Sequence, residues 1–443
     1  MNNNVDVENI GSSDVLKQKI KKLIPQSFLN IRFKYLVFKQ HHRKCISVQG
    51  SYVSPYILEK NDKKVLKKKL FSYNINPNGI NIIGYIRAEI GLGSSCRLFA
   101  KVINLTSIPF TIYNFQDDAQ RREEDSTWDH KISKDLPYNI NLFHVQPYEL
   151  PKVFFALGKK QWDYRYNIGI WFWELEEIPE YWLTRFNYLD EWWAPSEFIC
   201  NTIRRYTDKP VHFMPYALER PENGDYKRLD FGLPEDKLLY LCMYDNNSIP
   251  ERKNPMGAIL AYKEAFPIDN TDIGLVIKVN NPDAEHIKRI RESFEGYPNI
   301  YILAEVYDQV KANALIACTD VLVSLHRSEG FGLIPAEAML LGKPVVATNW
   351  SSTSEFMRED NSCLVDYTFT TLEYDAGPYP KGARWAEPDI HHAAEYMRRL
   401  NNDETYRQQI GEKAKEISLL HSPEIASKAI KQRISEIYME NRK

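Results

Sequence analysis

The sequence predicts an α/β chain made of two doubly wound domains separated by a polar linker. A strand, a glycine turn and a helix open in succession at Ile80, and short apolar runs alternating with amphipathic stretches follow to Leu218. The same rhythm restarts at Leu238 and reaches its sharpest form over residues 320–348, where strand, turn, helix and strand succeed one another. Near-continuous apolar strands of this kind belong to parallel sheets covered on both faces.

Residues 1–76 carry no such rhythm and read as a basic arm. Between Lys17 and Lys69 basic residues outnumber acids and are interleaved with Leu23, Ile24, Phe28, Leu29, Phe33, Tyr35, Leu36, Val37 and Phe38. An arm of this composition either lies on an anionic membrane surface or packs on the domain through its aromatics. RNA is a poorer partner, because no RNA-module signature accompanies the charge.

The first domain spans 77–218. Its strands are expected at 80–86, 109–115, 140–145, 167–172, 191–194 and 211–214, with helices near 96–103, 147–158, 179–188 and 196–206. The turn Glu89-Ile-Gly91-Leu-Gly93 between the first strand and its helix is a phosphate-facing layout. A dinucleotide fingerprint wants a third glycine at position 96, which is Cys96, so an NAD-dependent oxidoreductase is disfavoured. His144 falls at the carboxyl end of a strand, at the depth of a sheet-edge cleft, where a buried, hydrogen-bonded structural histidine is an equal alternative. Six of the nine tryptophans lie within 161–193. Most of these rings belong in a core, yet flat π-faces also suit sugar rings, and Trp173 and Glu174, just past a strand, are candidates for such a contact, with Glu176 and Glu177 beside them.

The linker is 219–236, with Pro221, Gly224 and Pro234. The second domain, 237–420, opens with a strand at 238–243, followed by a loop ending Arg252-Lys253-Asn254-Pro255. Asn254 caps and Pro255 starts a helix, so two cations stand at a positive helix end. Strands at 273–279 and 300–303 follow, with helices near 283–294 and 308–318, and Lys278 ends a strand on the same sheet edge. Ser352-x-x-Glu355 reads as a capping box, and Trp385–Asp389 introduces a helical tail over 388–401, 404–419 and 423–441.

Length suits two or three domains. A net charge of −2 argues against a nucleic-acid footprint, and 43% apolar residues is ordinary. Six scattered cysteines, no 18-residue apolar run and an N-terminus without a secretory signal lead to the expectation of a cytoplasmic protein with reduced thiols.

Within 320–348, Glu329 lies in the turn before the helix and Glu337 on the helix, expected to face solvent, with Gly330, Phe331, Gly332 and Leu333 between them. Two carboxylates eight positions apart, with N–H groups between, suit a nucleotide-sugar: one for sugar hydroxyls, one for ribose. This segment resembles the signature of retaining family-4 glycosyltransferases, which have the GT-B fold of two Rossmann-like domains facing a central cleft. The resemblance is sharp over 320–348 and loose over 80–365. It implies that Glu329 touches the donor sugar and Glu337 the ribose, and that Gly91 and Gly93 face the donor diphosphate. Some relatives place an acceptor-site histidine where His144 stands. The family lysine before the helix is matched by Lys253, whereas the strand-end arginine is replaced by Asp245, leaving Arg252 as substitute. The resemblance further implies retention, and a last helix (421–443) returning to the first domain.

No Asp-x-Asp pair occurs in the chain, so stabilisation of the leaving diphosphate by Lys253 and Arg252, without a metal or other cofactor, is expected. The aromatic region and basic arm look like bacterial transferases of surface polysaccharide or lipopolysaccharide, with a glycan or lipid-linked acceptor at the inner membrane face. A catalytically silent scaffold binding nucleotide or glycan is the alternative, supported by Asp245.

Overall fold

The computed structural model describes residues 46–48, 51–53, 62–116 and 122–442. The apolar positions of the basic arm from Leu23 to Phe38 lie outside the described residues. Strands β1 (Ile46–Val48) and β2 (Ser51–Val53) form an antiparallel pair. Residues 62–76 pack on the first lobe: Phe71 sets its ring edge against Tyr166 at 5.6 Å, and Asp62 accepts from Arg185 and Tyr188.

The first lobe is a six-stranded parallel sheet of β3 (Ile80–Gly84), β4 (Phe110–Asn114), β5 (Ile140–His144), β6 (Tyr166–Ile170), β7 (Glu191–Ala194) and β8 (Val211–Phe213), in the order β4-β3-β5-β6-β7-β8. Strands β3, β5, β6 and β7 are buried throughout, as apolar runs with helices on both faces must be. A polar row crossing three of them is a ladder. Asn81, Asn141 and Asn167 stand in register on β3, β5 and β6 and pass side-chain hydrogen bonds of 2.9 Å along the row, and the ends are completed by the Tyr138 N–H to Asn81 and the Asn167 amide to Asp190.

The second lobe repeats the plan with β9 (Leu238–Asp245), β10 (Ile273–Asn280), β11 (Ile300–Leu303), β12 (Val321–Ser324), β13 (Val345–Thr348) and β14 (Cys363–Val365), in the order β11-β10-β9-β12-β13-β14, all parallel. The chain leaves β9 toward one edge and returns to place β12 on its other side. The crevice at the carboxyl ends of β9 and β12 is therefore the switch point where open α/β sheets bind ligands.

The chain has the GT-B architecture that the resemblance implies. The helix Pro423–Glu440 runs back to the first lobe and packs on the helix Gly91–Leu105. Its Arg433 lies against Glu191 of β7, with 2.8 Å between Nη2 and Oε2, and Glu191 also accepts from Tyr166 and Trp193.

Some expectations are corrected. Residues 180–188 form 3₁₀ turns, Glu180–Tyr188, in place of an α-helix. The stretch before the helical tail is an antiparallel hairpin of β15 (Tyr367–Thr371) and β16 (Arg384–Pro388), with Asp389 capping the helix Ile390–Asn402. Ser352 and Glu355 do not form a capping box. They sit in the 3₁₀ turn Ser351–Glu355, where the Ser352 hydroxyl bonds Ser196 at 2.8 Å. The Glu355 carboxylate accepts from the backbone of Glu197 (2.9 Å) and Phe198 (2.6 Å) in the opposite lobe. The carboxylate thus caps the helix Glu197–Arg204 across the lobe interface, at the positive end where an anion is stabilised.

Among the described residues, no helix is long and apolar enough to cross a membrane.

Candidate active site

The turn after β9 holds the two cations. Asp245, where an arginine was expected, accepts from the Asn247 N–H at 2.8 Å and from the Asn281 amide at 3.0 Å, closing the strand end. Ile249 follows at φ 60°, and the short helix Pro250–Lys253 presents Arg252 and Lys253. Asn254 then caps the helix Pro255–Ala265 by accepting from Gly257 N–H, while its amide donates to the Leu325 carbonyl at 2.9 Å, tying this turn to the one after β12.

The turn after β12 brings Glu329. Its backbone N–H donates to the Ser351 hydroxyl at 2.8 Å, and its carboxylate lies 3.2 Å from Arg252 Nη1 and pairs with Lys253. Glu329 is 7% exposed and Arg252 4% exposed, so this is a partly desolvated triad at the switch point. Burial alone would raise the Glu329 carboxyl, but Lys253 and Arg252 overcome it and hold the group down at about 2. Lys253 is lowered, by burial ahead of its neighbours. His326, fully buried beside them and bonded to the Thr353 hydroxyl at 3.1 Å, is pushed down to about 4 by burial and is neutral.

The glycines of the turn serve close approach. Gly332 sits at φ +93°, where a Cβ would stand 2.4 Å from Thr353 Cγ2. A Cβ on Gly330 would meet the Trp173 carbonyl of the other lobe at 3.3 Å. The helix Leu333–Leu340 follows without a side-chain cap.

Phe331 crosses to the first lobe, its ring 4.6 Å from that of Tyr216. The Tyr216 ring lies 6.3 Å from that of Phe99, Phe99 packs on the His144 ring at 5.5 Å, and the Ser95 hydroxyl bonds His144 Nε2 at 2.8 Å. The structure therefore joins His144, at the switch point of the first sheet, to the signature turn of the second by a chain of contacts. His144 is fully buried and burial pushes it down to about 4, so it is a neutral, interior histidine and not one open to a ligand. Gly91 starts its helix with open space beside it, whereas Gly93 is a packing glycine, a Cβ there falling 2.0 Å from the Ala88 carbonyl.

Three further expectations are corrected. Glu337 does not face solvent: it is half-buried in the second turn of its helix, near the Gln309 amide at 3.4 Å, and burial pushes its carboxyl up to about 8. Trp173 is 3% exposed, its N–H donates to the Glu177 carbonyl at 2.8 Å, and its ring packs on Trp182 at 4.5 Å, so it offers no free face to a sugar. Lys278 is fully buried and spends its ammonium on the Glu305 carbonyl (2.7 Å), Asn280 (2.7 Å) and the Tyr307 ring (4.4 Å), one strand away from the triad. Glu174 does reach the centre: one oxygen lies 3.9 Å from Arg252 Nη2.

His326, Ser351, Tyr216 and Tyr379 were not anticipated. A lone histidine, serine or tyrosine gives no local signal, and only folding brings these to the turn.

Glu337 yields a pH prediction. Between about pH 4.5, its unfolded value, and about 8, the folded state keeps a proton that the unfolded chain has released, so wild-type stability falls as pH rises through this window. Glu337→Gln is expected to lose that slope. Denaturant midpoints at about pH 5 and about pH 8.5 check it, and identical slopes in both proteins would contradict it.

Residues 230–417, the second lobe, match the family model of glycosyl transferases group 1. No curated protein sequence matches the chain. Among solved structures, a glycosyltransferase from Rickettsia africae superposes with a TM-score of 0.59 at 12% identity, over 81% of this chain and 99% of that one. HepE of Anabaena, crystallised with UDP and glucose, gives 0.57 at 11% identity over 81% and 100%. Sucrose-phosphate synthase from Thermosynechococcus elongatus gives 0.57 at 13% over 82% and 100%.

Proposed function

We propose that this chain moves a hexose-type sugar from a nucleotide diphosphate to a glycan or lipid-linked acceptor, in the manner of retaining family-4 enzymes. The observation that supports this best is the triad of Lys253, Arg252 and Glu329 at the switch point of the second sheet, on the side facing the first lobe. Breaking the anomeric C–O bond sends its electron pair to a β-phosphate oxygen. Cations fixed in a partly desolvated turn stabilise that growing charge without reorganising, and no metal is needed in this scheme. Glu329, ionised at any working pH, accepts from sugar hydroxyls, and Glu337 accepts from the ribose. The uncapped amides of the helix Leu333–Leu340 and of the Gly91 turn add positive ends on either side of the diphosphate. The new C–O bond forms on the face the phosphate leaves, and the acceptor proton passes to the phosphate oxygen, which retains configuration. The acceptor hydroxyl approaches from the lobe that carries Glu174. His144 acts through Phe99 and Tyr216 as an anchor of the lobe contact.

The HepE complex with UDP and glucose makes UDP-sugars the first donors to test. We place the reaction in surface-polysaccharide or lipopolysaccharide synthesis on the cytoplasmic side, with the basic arm on anionic lipid.

A thermal-shift panel of UDP-, GDP-, dTDP- and CMP-sugars tests the reading. One nucleotide class is expected to raise the melting temperature, by an amount equivalent to about 2.7 kcal/mol at a hundredfold excess over Kd. Glu337→Ala is expected to weaken that shift. Binding without turnover favours a silent scaffold, as Asp245 in the arginine's place would suit; a shift with NAD alone overturns the reading.

A further inference from the structure

The hairpin of β15 and β16 takes no part in the chemistry above, yet it touches the Glu329 turn, the cation turn and Glu174. Strand β16 runs along the Glu329 turn: the Ala386 N–H donates to the Arg327 carbonyl at 3.0 Å, and the Arg327 guanidinium donates to Glu387 at 2.5 and 2.8 Å. The loop between the strands closes on itself, with Leu372 and Ala383 joined at 2.8 Å and Ala376 and Tyr379 exchanging bonds of 2.9 and 3.1 Å.

Two contacts leave this loop in different directions. Toward the cations, Gly377 at φ +61° lies under Ile249, where a Cβ would stand 2.4 Å from Ile249 Cδ1. Ile249 is a β-branched residue held at positive φ, a conformation that persists only where its surroundings enforce it, and it begins the turn of Arg252 and Lys253. Toward the first lobe, Tyr379 sets its ring 5.4 Å from Trp173, and its hydroxyl donates to Glu174 Oε2 at 3.0 Å. Arg384 secures the same face by pairing with Glu176 at 2.6 Å.

Glu174 is thus held by one oxygen from the second lobe, while its other oxygen is turned to Arg252 at 3.9 Å. We propose that Tyr379 is a positioning residue: it aims the Glu174 carboxylate at the incoming acceptor hydroxyl and sets it in one frame with the cation turn. The inference rests on the reading of Arg252, Lys253 and Glu329 as the transfer site. A carboxylate oriented in this way accepts the hydroxyl's hydrogen bond in a fixed direction, which lowers the barrier without changing how the donor is held.

Tyr379→Phe keeps the ring packing and removes only the hydroxyl. The assay is steady-state nucleotide release from UDP-glucose, or from the sugar nucleotide that stabilises the protein best, with water as acceptor. The expected result is a kcat about tenfold lower with the donor KM within about twofold, the size of one hydrogen bond to a charged group. Glu174→Gln is expected to lower kcat similarly, and Tyr379→Phe to cost nothing more in that background. A wild-type kcat in Tyr379→Phe, a full additive loss in the double variant, or a donor KM that rises in proportion overturns the proposal. Those outcomes occur in an enzyme whose wild type is active. A wild type that neither binds nor turns over any sugar nucleotide overturns the transfer reading and this inference with it.

Discussion

In Lys253→Ala, turnover of the sugar nucleotide is expected to fall by about 10²–10³, the loss seen when one preorganised group facing a developing negative charge is removed. The ammonium lies against Glu329 and beside Arg252 in a turn fixed by Asn254 and by the strained Ile249, so water does not take its place in the same geometry. The fold should survive, because Glu329 keeps Arg252 at 3.2 Å and is not left without a partner. A stability loss of roughly 1.5–3 kcal/mol is expected, as for one lost hydrogen bond to a charged group. Glu329→Ala is the harsher change, since it leaves two cations facing each other. Its carboxyl carries a pH signature as well. Burial opposes ionisation and the two cations more than reverse that, so Glu329 contributes stability above about pH 4.5 that is lost as pH falls toward about 2. Acid denaturation of Glu329→Gln should lack that limb. Single-turnover rates and acid titrations check both statements.

Arg433→Met is expected to destabilise the protein by about 3–5 kcal/mol, the cost of leaving a buried carboxylate without its cation. Glu191 is 0% exposed and Arg433 6% exposed, and their pair fastens the last helix to β7 of the opposite lobe. Tyr166 and Trp193 still donate to Glu191 in the variant, but they carry no charge. Urea midpoints should show the loss. Adding Glu191→Gln should recover part of it, because the orphaned charge goes with the second change. Equal midpoints for wild type and Arg433→Met would mean that the helix is held by its apolar face alone.

The parallel sheets were legible in the sequence because strands buried on both faces read as unbroken apolar runs, as Ile80–Gly84 and Val321–Ser324 do. The signature turn was legible because Gly330 and Gly332 break an apolar strand ahead of Pro335, and the cation turn because Asn254 and Pro255 cap and start a helix. What escaped was set by tertiary contact. Ser352 and Glu355 have the spacing of a local cap, but the amides that Glu355 caps are 157 and 158 residues away. Trp173, just past its strand, reads as a sugar platform, and only its neighbours Trp182 and Tyr379 decide for core. Glu337 sits on a helix whose sequence does not reveal that Gln309 stands against it. The hairpin Tyr367–Pro388 follows a strand of three residues and has no helix to mark it.

The central claim is that a sugar nucleotide binds over the triad with its diphosphate on Lys253 and Arg252. Calorimetric titration of wild type and Lys253→Ala with the nucleotide class that the panel selects tests it most directly. Measurable binding by the wild type and at least about a tenfold weaker Kd in the variant are expected, as for one lost charge-assisted contact. Equal affinity in the two proteins would contradict it.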